Sequence, residues 1–505
     1  MKNKQARSLL DCLAYEKLLA LKGEGFWLKK GERSALQLFH DMARRVPAYK
    51  RFLKEHGVLC ARIKTVKDMS SIPIMTKKNY LKKYPLEDMC WDGKLSALSL
   101  SIMSVSSGST GEPTYWPRGH KQDGETSLSH ELFMRDSFEI HKRSTLFINS
   151  FAMGVWIAGI LTYRVVDEFA KKYRLTQIAP GINKDEIISI IKRIGKKYDQ
   201  IIIAGYPPFV KDVIDDGPRN GINWRKFNIK FLFAAESFSE SWRDYMYKKV
   251  GAQNPHKNSL NIYGTADACI LAHETPLSIL IRRIAFKNPA FYERIFIDTK
   301  RVPTLAQYNP ALRFFEEING ALFVSARSGV PLFRYDVGDS GGIIRFSEME
   351  KLLNEYGIDI QREAKKYGIL ISQLPFVSVF GRSDFTAFLY GVNIYPENIR
   401  DALGHTDISH IVSGKFTMLT GYDRKKNQYL EINIELQNTK LFSSNAVKTM
   451  IEERITRTLK EKNSEYRKLS EVIGACARPR INLYPHGYPE FFRPGIKQKW
   501  YRKNT

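Results

Sequence analysis

From about residue 144 the chain alternates short, uninterrupted apolar segments with segments of helical periodicity, and this limits the fold more than any other feature. Leu146-Phe147-Ile148-Asn149, Gln200-Ile201-Ile202-Ile203-Ala204-Gly205 and Ile229-Lys230-Phe231-Leu232-Phe233-Ala234 read as strands. A strand that is apolar throughout must be covered on both faces. Lys184-Asp185-Glu186-Ile187-Ile188-Ser189-Ile190-Ile191-Lys192-Arg193-Ile194 instead carries one apolar stripe at helical spacing. This order predicts an α/β fold, a sheet covered by helices, with any ligand site at the carboxyl ends of the strands. With 505 residues, 43% of them hydrophobic, the chain can form two to four domains with large cores, which excludes wholesale disorder.

Residues 1–100 read mainly as amphipathic helices. One is Ser34-Ala35-Leu36-Gln37-Leu38-Phe39-His40-Asp41-Met42-Ala43, with Ser34 as a cap. Pro73 and Pro85 punctuate the stretch after it. The pattern shifts near 381. A hairpin is expected from Phe385 to Ile394, turning at Tyr390-Gly391-Val392-Asn393, then a helix opened by Pro396 and running to about Leu403. Tyr429 to Glu435 alternates as a half-buried strand, and a helix near 445–460 and a strand near 480–484 complete a small α+β unit. The expected division is residues 1–381 and 382–505.

The segment Ser106-Ser107-Gly108-Ser109-Thr110-Gly111-Glu112-Pro113-Thr114 is unlike a packed core. Glycine permits close backbone approach, and consecutive small residues can aim N–H and hydroxyl donors at one anion, as a polyphosphate requires. No Gly-Lys-Ser/Thr closes the loop, and it lacks the dinucleotide pattern. The five cysteines, Cys12, Cys60, Cys90, Cys269 and Cys476, are scattered without a CxxC pair, which argues against structural zinc and for reduced thiols in a cytoplasmic enzyme. The net charge of +26 comes from dispersed pairs such as Lys171-Lys172 and Lys425-Lys426. No nucleic-acid module accompanies it, so phosphate-bearing small molecules or an acidic carrier are the expected counterparts. No apolar run reaches the roughly 18–20 residues of a membrane span, and no signal peptide is expected at the N-terminus.

Three further segments join glycine to carboxylates: Asn261-Ile262-Tyr263-Gly264-Thr265-Ala266-Asp267, Phe333-Arg334-Tyr335-Asp336-Val337-Gly338-Asp339 and Gly381-Arg382-Ser383-Asp384. They read as turns. Together with the 106–114 loop they supply phosphate donors, carboxylates for a metal and for ribose, and aromatic walls for a base. In this order they resemble the adenylate-forming (ANL) superfamily, most closely its phenylacetate–CoA ligase and CapK-like branch. Arg45 to Tyr49, Ile72 to Lys77, Ser150 to Gly154, Ala235-Glu236-Ser237 and Gly391 to Ile399 are similar to further segments of that branch.

The resemblance implies a large N-terminal adenylation domain, a small mobile C-terminal lid and two half-reactions. ATP activates a carboxylic acid as its adenylate with release of pyrophosphate, and an acceptor then takes the acyl group. The thiol of coenzyme A is the expected acceptor. A carrier protein, or an amine or hydroxyl of a biosynthetic intermediate such as a polysaccharide, is the alternative, and so is a catalytically weakened nucleotide-binding protein. A homodimer is compatible with the family.

By the same resemblance, Ser106, Ser107, Gly108, Ser109, Thr110 and Gly111 would hold the ATP phosphates. Glu236 and Ser237 would lie beside adenine, with Tyr263 as its wall, near Gly264 and Thr265. Asp339 would accept the ribose hydroxyls, Arg382 would reach ribose or phosphate, and Asp267 would ligate Mg²⁺. Asp384 would be the hinge, Gly391 would line the acceptor channel, and Lys497 or Lys499 would be the adenylating lysine. Phe151, Met153 and Trp156 are candidates for an acyl pocket. The chain departs from the family in having Ala266 for a threonine, Asp267 for a glutamate, and Ile496 between Gly495 and Lys497.

Overall fold

The computed structural model describes residues 2–96, 100–105, 114–296, 302–382, 387–437, 445–488 and 491–492. It divides into two units. The first comprises Met1–Ser106, Tyr115–Gly205 and Val213–Gly381; the second comprises Ser107–Thr114, Tyr206–Asp212 and Arg382–Thr505.

In the first unit the helix Glu24–Arg45 buries Trp27, Gly31, Ala35, Leu38, Phe39 and Met42 along one face. Gly31 is required there, because a Cβ would lie 2.6 Å from that of Pro310. Ser34 is not a cap: the helix begins ten residues earlier, after Gly23. Its start is fixed by tertiary contacts, since the Glu24 carboxylate accepts from the Ser347 hydroxyl at 2.6 Å and from the Phe346 amide. Phe39, Tyr49, Phe52, Met75 and Tyr80 form a core with Phe333 and Tyr335. Helical segments dominate residues 2–96.

A hairpin comes next, β1 (Leu100–Val105) with β2 (Tyr115–Gly119). The large sheet contains β3 (Thr145–Asn149), β4 (Leu175–Ile178), β5 (Gln200–Gly205), β6 (Ile229–Ala234), β7 (Ser259–Thr265), β8 (Cys269–His273), β9 (Thr304–Gln307), β10 (Phe314–Ile318), β11 (Ala321–Ala326), β12 (Leu332–Ile344) and β13 (Phe376–Arg382). Among the described residues its order is β10-β11-β12-β13-β9-β8-β7-β6-β5-β3-β4. The half from β4 to β7 is parallel. β3 and β5 are buried at every position, as strands covered on both faces must be. The helix Lys184–Ile194 covers this half with Ile187, Ile188, Ile190 and Ile191, and Asn183 caps it by accepting from the Glu186 amide at 3.1 Å.

The other half is largely antiparallel and was not anticipated. It corrects one turn expectation, and β7 corrects another: Phe333 to Asp339 lie in the first half of the 13-residue strand β12, and Asn261 to Thr265 lie in β7, with only Ala266 and Asp267 beyond it. Positive φ at Arg334 (48°) and Gly338 (78°) accompanies irregular pairing with β11, which re-aims successive side chains.

The second unit contains the hairpin β14 (Ala387–Leu389) and β15 (Val392–Ile394), which turns at Tyr390 and Gly391, φ 49° and 81°. The helix Pro396–Leu403 succeeds it. β16 (Val412–Tyr422), β17 (Gln428–Leu436) and β18 (Arg480–Tyr484) form a sheet; the helix Asn445–Lys462 packs on β18 and the helix Ser464–Ile473 on β15. Among the described residues no helix is long and apolar enough to cross a membrane, and the five cysteines are free thiols.

Candidate functional site

The carboxyl ends of β6 and β7 and the middle of β12 bring together most of the described residues singled out in the sequence. Gly264 lets β8 approach β7 closely, since a Cβ would lie 2.8 Å from the carbonyl oxygen of Cys269. Beyond it the Thr265 hydroxyl accepts from the Ala268 amide at 3.0 Å, closing the turn that carries Ala266 and Asp267.

The two aromatic–aspartate segments brace one another reciprocally. The Tyr263 hydroxyl donates to Asp339 Oδ2 at 2.7 Å, and the Tyr335 hydroxyl donates to Asp267 Oδ2 at 2.5 Å. All four residues are buried, so each carboxylate is oriented by a charge-assisted bond sheltered from water. Arg334, between them in sequence, turns the other way. It meets Glu316 at 3.0 Å and donates to the carbonyls of Met69, Ser70 and Ile72. Burial pushes the Glu316 carboxyl up, against the pull of Arg334. Met75 exchanges backbone bonds with Arg334 and Asp336, so the 69–75 segment is a splint for this part of β12.

After β6, Ala235 has φ 75°, an uncommon conformation for a residue with a Cβ. Glu236 and Ser237 come next. Asn261 Nδ2 donates to the Glu236 carbonyl at 2.9 Å and to Thr304 Oγ1 at 3.2 Å, and the Ser237 and Thr304 hydroxyls are 2.8 Å apart. Beneath lies a buried ion cluster. Glu274 Oε1 accepts from Arg243 at 2.7 Å and from Arg282 at 3.1 Å, while its Oε2 accepts from the Asn261 amide at 2.9 Å. Burial alone would raise the Glu240 carboxyl, but Arg243, Arg282 and Arg283 hold it below its ordinary value. The cluster thus fixes Asn261, and through it the Glu236 loop.

Asp267 Oδ1 takes no hydrogen bond among the described residues. No group of three or more His, Cys, Asp or Glu side chains able to hold a metal occurs among them. Mg²⁺ is commonly held by one or two carboxylates plus substrate phosphates, and Asp267 fits that donor pattern. In the candidate acyl segment Phe151 is buried, and Gly159 lies so close to Ala152 that a Cβ would meet its carbonyl.

Ser106 to Gly111, Asp384, Lys497 and Lys499 lie outside the described residues. Arg382 ends β13, and its side chain is likewise outside the description. In the second unit, a Cβ on Gly391 would lie 2.5 Å from the Tyr206 ring. The sequence reading missed Tyr335, Asn261 as a brace, the Arg243–Glu274–Arg282 cluster and Arg118. Their only sequence signal was proximity to the glycine–aspartate segments, and Arg118 lacked even that.

No protein-family model matches the chain. A phenylacetate-coenzyme A ligase of Thermus thermophilus is 20% identical over 397 residues, which span 78% of this chain and 77% of that protein. A solved structure of 2-hydroxyisobutyryl-CoA ligase, in complex with 2-HIB-AMP and CoA in the thioesterification state, covers 95% of this chain and 89% of its own at TM-score 0.63 and 14% identity. The same enzyme in the postadenylation state, with R3-HIB-AMP, gives 0.53 over the same shares. At such identities the likeness is one of architecture: this chain has the mixed α/β fold of the adenylate-forming superfamily, with a separate C-terminal unit.

Proposed function

We propose that the chain is an ATP-dependent ligase that activates a carboxylic acid as its acyl-adenylate, releases pyrophosphate and passes the acyl group to the thiol of coenzyme A. The observation that carries this reading is the reciprocal bracing of Tyr263–Asp339 and Tyr335–Asp267 on an adenylate-forming fold. It gives two buried carboxylates a fixed orientation, and in this reading one serves the ribose hydroxyls and the other the metal.

In this reading Asp339 accepts from the ribose, while Glu236, Ser237, Tyr263, Gly264 and Thr265 border the adenine and its sugar. Ser106 to Gly111 and Arg382 hold phosphate oxygens. Asp267 would hold Mg²⁺, which when bound would supply neutralisation of charge on the phosphates. Lys497 or Lys499 adds a cation at the same place. The acid's oxygen forms the new bond to the α-phosphorus and pyrophosphate leaves, so no protein nucleophile is needed. The lid then pivots at Asp384, and the thiol enters past Gly391. Ala266 offers the α-phosphate no hydroxyl, whereas the Thr265 hydroxyl only accepts within its turn, from the Ala268 amide, and keeps its own O–H to donate.

A pyrophosphate-release screen over aryl, fatty and amino acids, with and without coenzyme A, tests the proposal. Release that depends on one acid class supports it. Thioester formation identifies coenzyme A as acceptor, and adenylate without thioester points to a carrier protein, amine or hydroxyl. No acid-dependent release from any acid refutes it.

A further inference from the structure

Arg118 is the exception among the buried arginines of the first unit. Arg135, Arg243, Arg282, Arg313 and Arg334 each meet a carboxylate: Glu16 at 2.8 Å, Glu274 at 2.7 and 3.1 Å, Glu125 at 3.1 Å and Glu316 at 3.0 Å. Arg118 is 1% exposed and meets none among the described residues. Its donors end on neutral groups, the Cys269 thiol among them. Nε and Nη2 donate to Ser104 Oγ at 3.2 and 2.9 Å, Nη1 to the Asp267 carbonyl at 3.4 Å, and Nη2 to the Ala266 carbonyl. A guanidinium removed from water without a counter-ion is costly, so its retention needs a reason.

Its position supplies one. Arg118 lies on β2, paired with Ile102 of β1. Its fork reaches from that hairpin to the backbone of Ala266 and Asp267. One side chain therefore joins this hairpin to the turn carrying the Asp267 carboxylate, and among the described residues it forms no ion pair of its own. We propose that Arg118 is a positioning residue for Mg²⁺–polyphosphate binding. It holds the Asp267 turn against β1 through Ser104, and its charge favours an anionic ligand. The inference rests on the adenylating reading above.

The test is calorimetric titration of Mg·ATP into the full-length wild type, Arg118→Lys, Arg118→Met, Asp267→Asn and the Arg118→Lys/Asp267→Asn double variant, with pyrophosphate exchange measured against Mg²⁺ concentration. Arg118→Met should weaken Mg·ATP binding by about tenfold or more, from the loss of charge-assisted bonds. Arg118→Lys keeps the charge and loses the fork. It should bind more weakly than wild type and need several-fold more Mg²⁺ for half-maximal exchange. Because Arg118 acts through Asp267, Arg118→Lys should add less than about twofold in the Asp267→Asn background. If Arg118→Met does not fold, Arg118→Lys and the double variant decide. Folded Arg118 variants that bind within twofold of wild type overturn this proposal alone, as do effects that simply multiply in the double variant. A wild type that does not bind Mg·ATP overturns the functional reading and this proposal with it.

Discussion

Glu274→Gln tests whether the buried ion cluster is the foundation of the Glu236 loop. The substitution keeps shape and removes one charge. Glu274 is fully buried and uses both oxygens, one for Arg243 and Arg282 and one for the Asn261 amide. A glutamine can keep only one of these sides. With its carbonyl toward the arginines, its NH₂ confronts the Asn261 N–H, donor against donor. With the reverse orientation, two buried guanidiniums face an amide donor. Either way Arg243 and Arg282 are left to share Glu240. Removing one partner of a buried ion pair typically costs about 3–5 kcal/mol. At a urea dependence of about 4 kcal/mol per molar for a unit this large, the unfolding midpoint should fall by about 1 M. Urea denaturation followed by tryptophan fluorescence measures it, because Trp242 packs against Phe238, whose ring lies 4.9 Å from the Arg243 guanidinium. Adding Arg282→Met to Glu274→Gln should cost less than Arg282→Met alone, because the charge it removes is already unpaired. A loss below about 1 kcal/mol for Glu274→Gln, or strictly additive effects, would refute the reasoning.

Three further predictions bear on the site and the fold. Tyr263→Phe removes the hydroxyl that orients Asp339 and should raise the KM for ATP by about tenfold, the loss of one hydrogen bond to a charged group, with an unchanged KM counting against it. Ala235→Gly relieves a left-handed residue that costs about 1–2 kcal/mol, offset by about 0.5–1 kcal/mol of glycine entropy. Equilibrium unfolding should therefore show a net gain, and a loss would contradict the strain. Burial pushes the His130 imidazole down to about 4, so the unfolded chain takes up a proton below about pH 6.5 that the folded protein refuses until about pH 4. Stability should fall by up to about 3 kcal/mol across that window, and less so in His130→Phe, with equal pH dependence in both proteins as the contrary result.

The parallel strands were legible because uninterrupted apolar runs such as Ile201-Ile202-Ile203 have few other uses. β12 was misread because Val337-Gly338-Asp339 has the composition of a turn; further along the strand, Gly341 serves close packing, its Cβ position lying 2.1 Å from the Ser378 carbonyl. Ser34 had the chemistry of a cap, but the helix start was set by Glu24 meeting Phe346, 322 residues away. Within the site, the carboxylates of Asp267 and Asp339 could be picked out from local motifs. Their bracing could not, because the tyrosines that hold them are 68 and 76 residues distant. Charge is ordinarily read as surface, which hid Arg118 and the Glu274 cluster.

The central claim is that a carboxylate oxygen attacks the α-phosphate of ATP. It is tested most directly by supplying ¹⁸O-labelled acid, identified in the pyrophosphate screen, together with ATP and coenzyme A, and analysing the nucleotide product by mass spectrometry. Attack followed by thiolysis must leave one carboxylate oxygen on AMP, so the account predicts AMP heavier by the single label. Unlabelled AMP, or ADP with the label in inorganic phosphate, would contradict it.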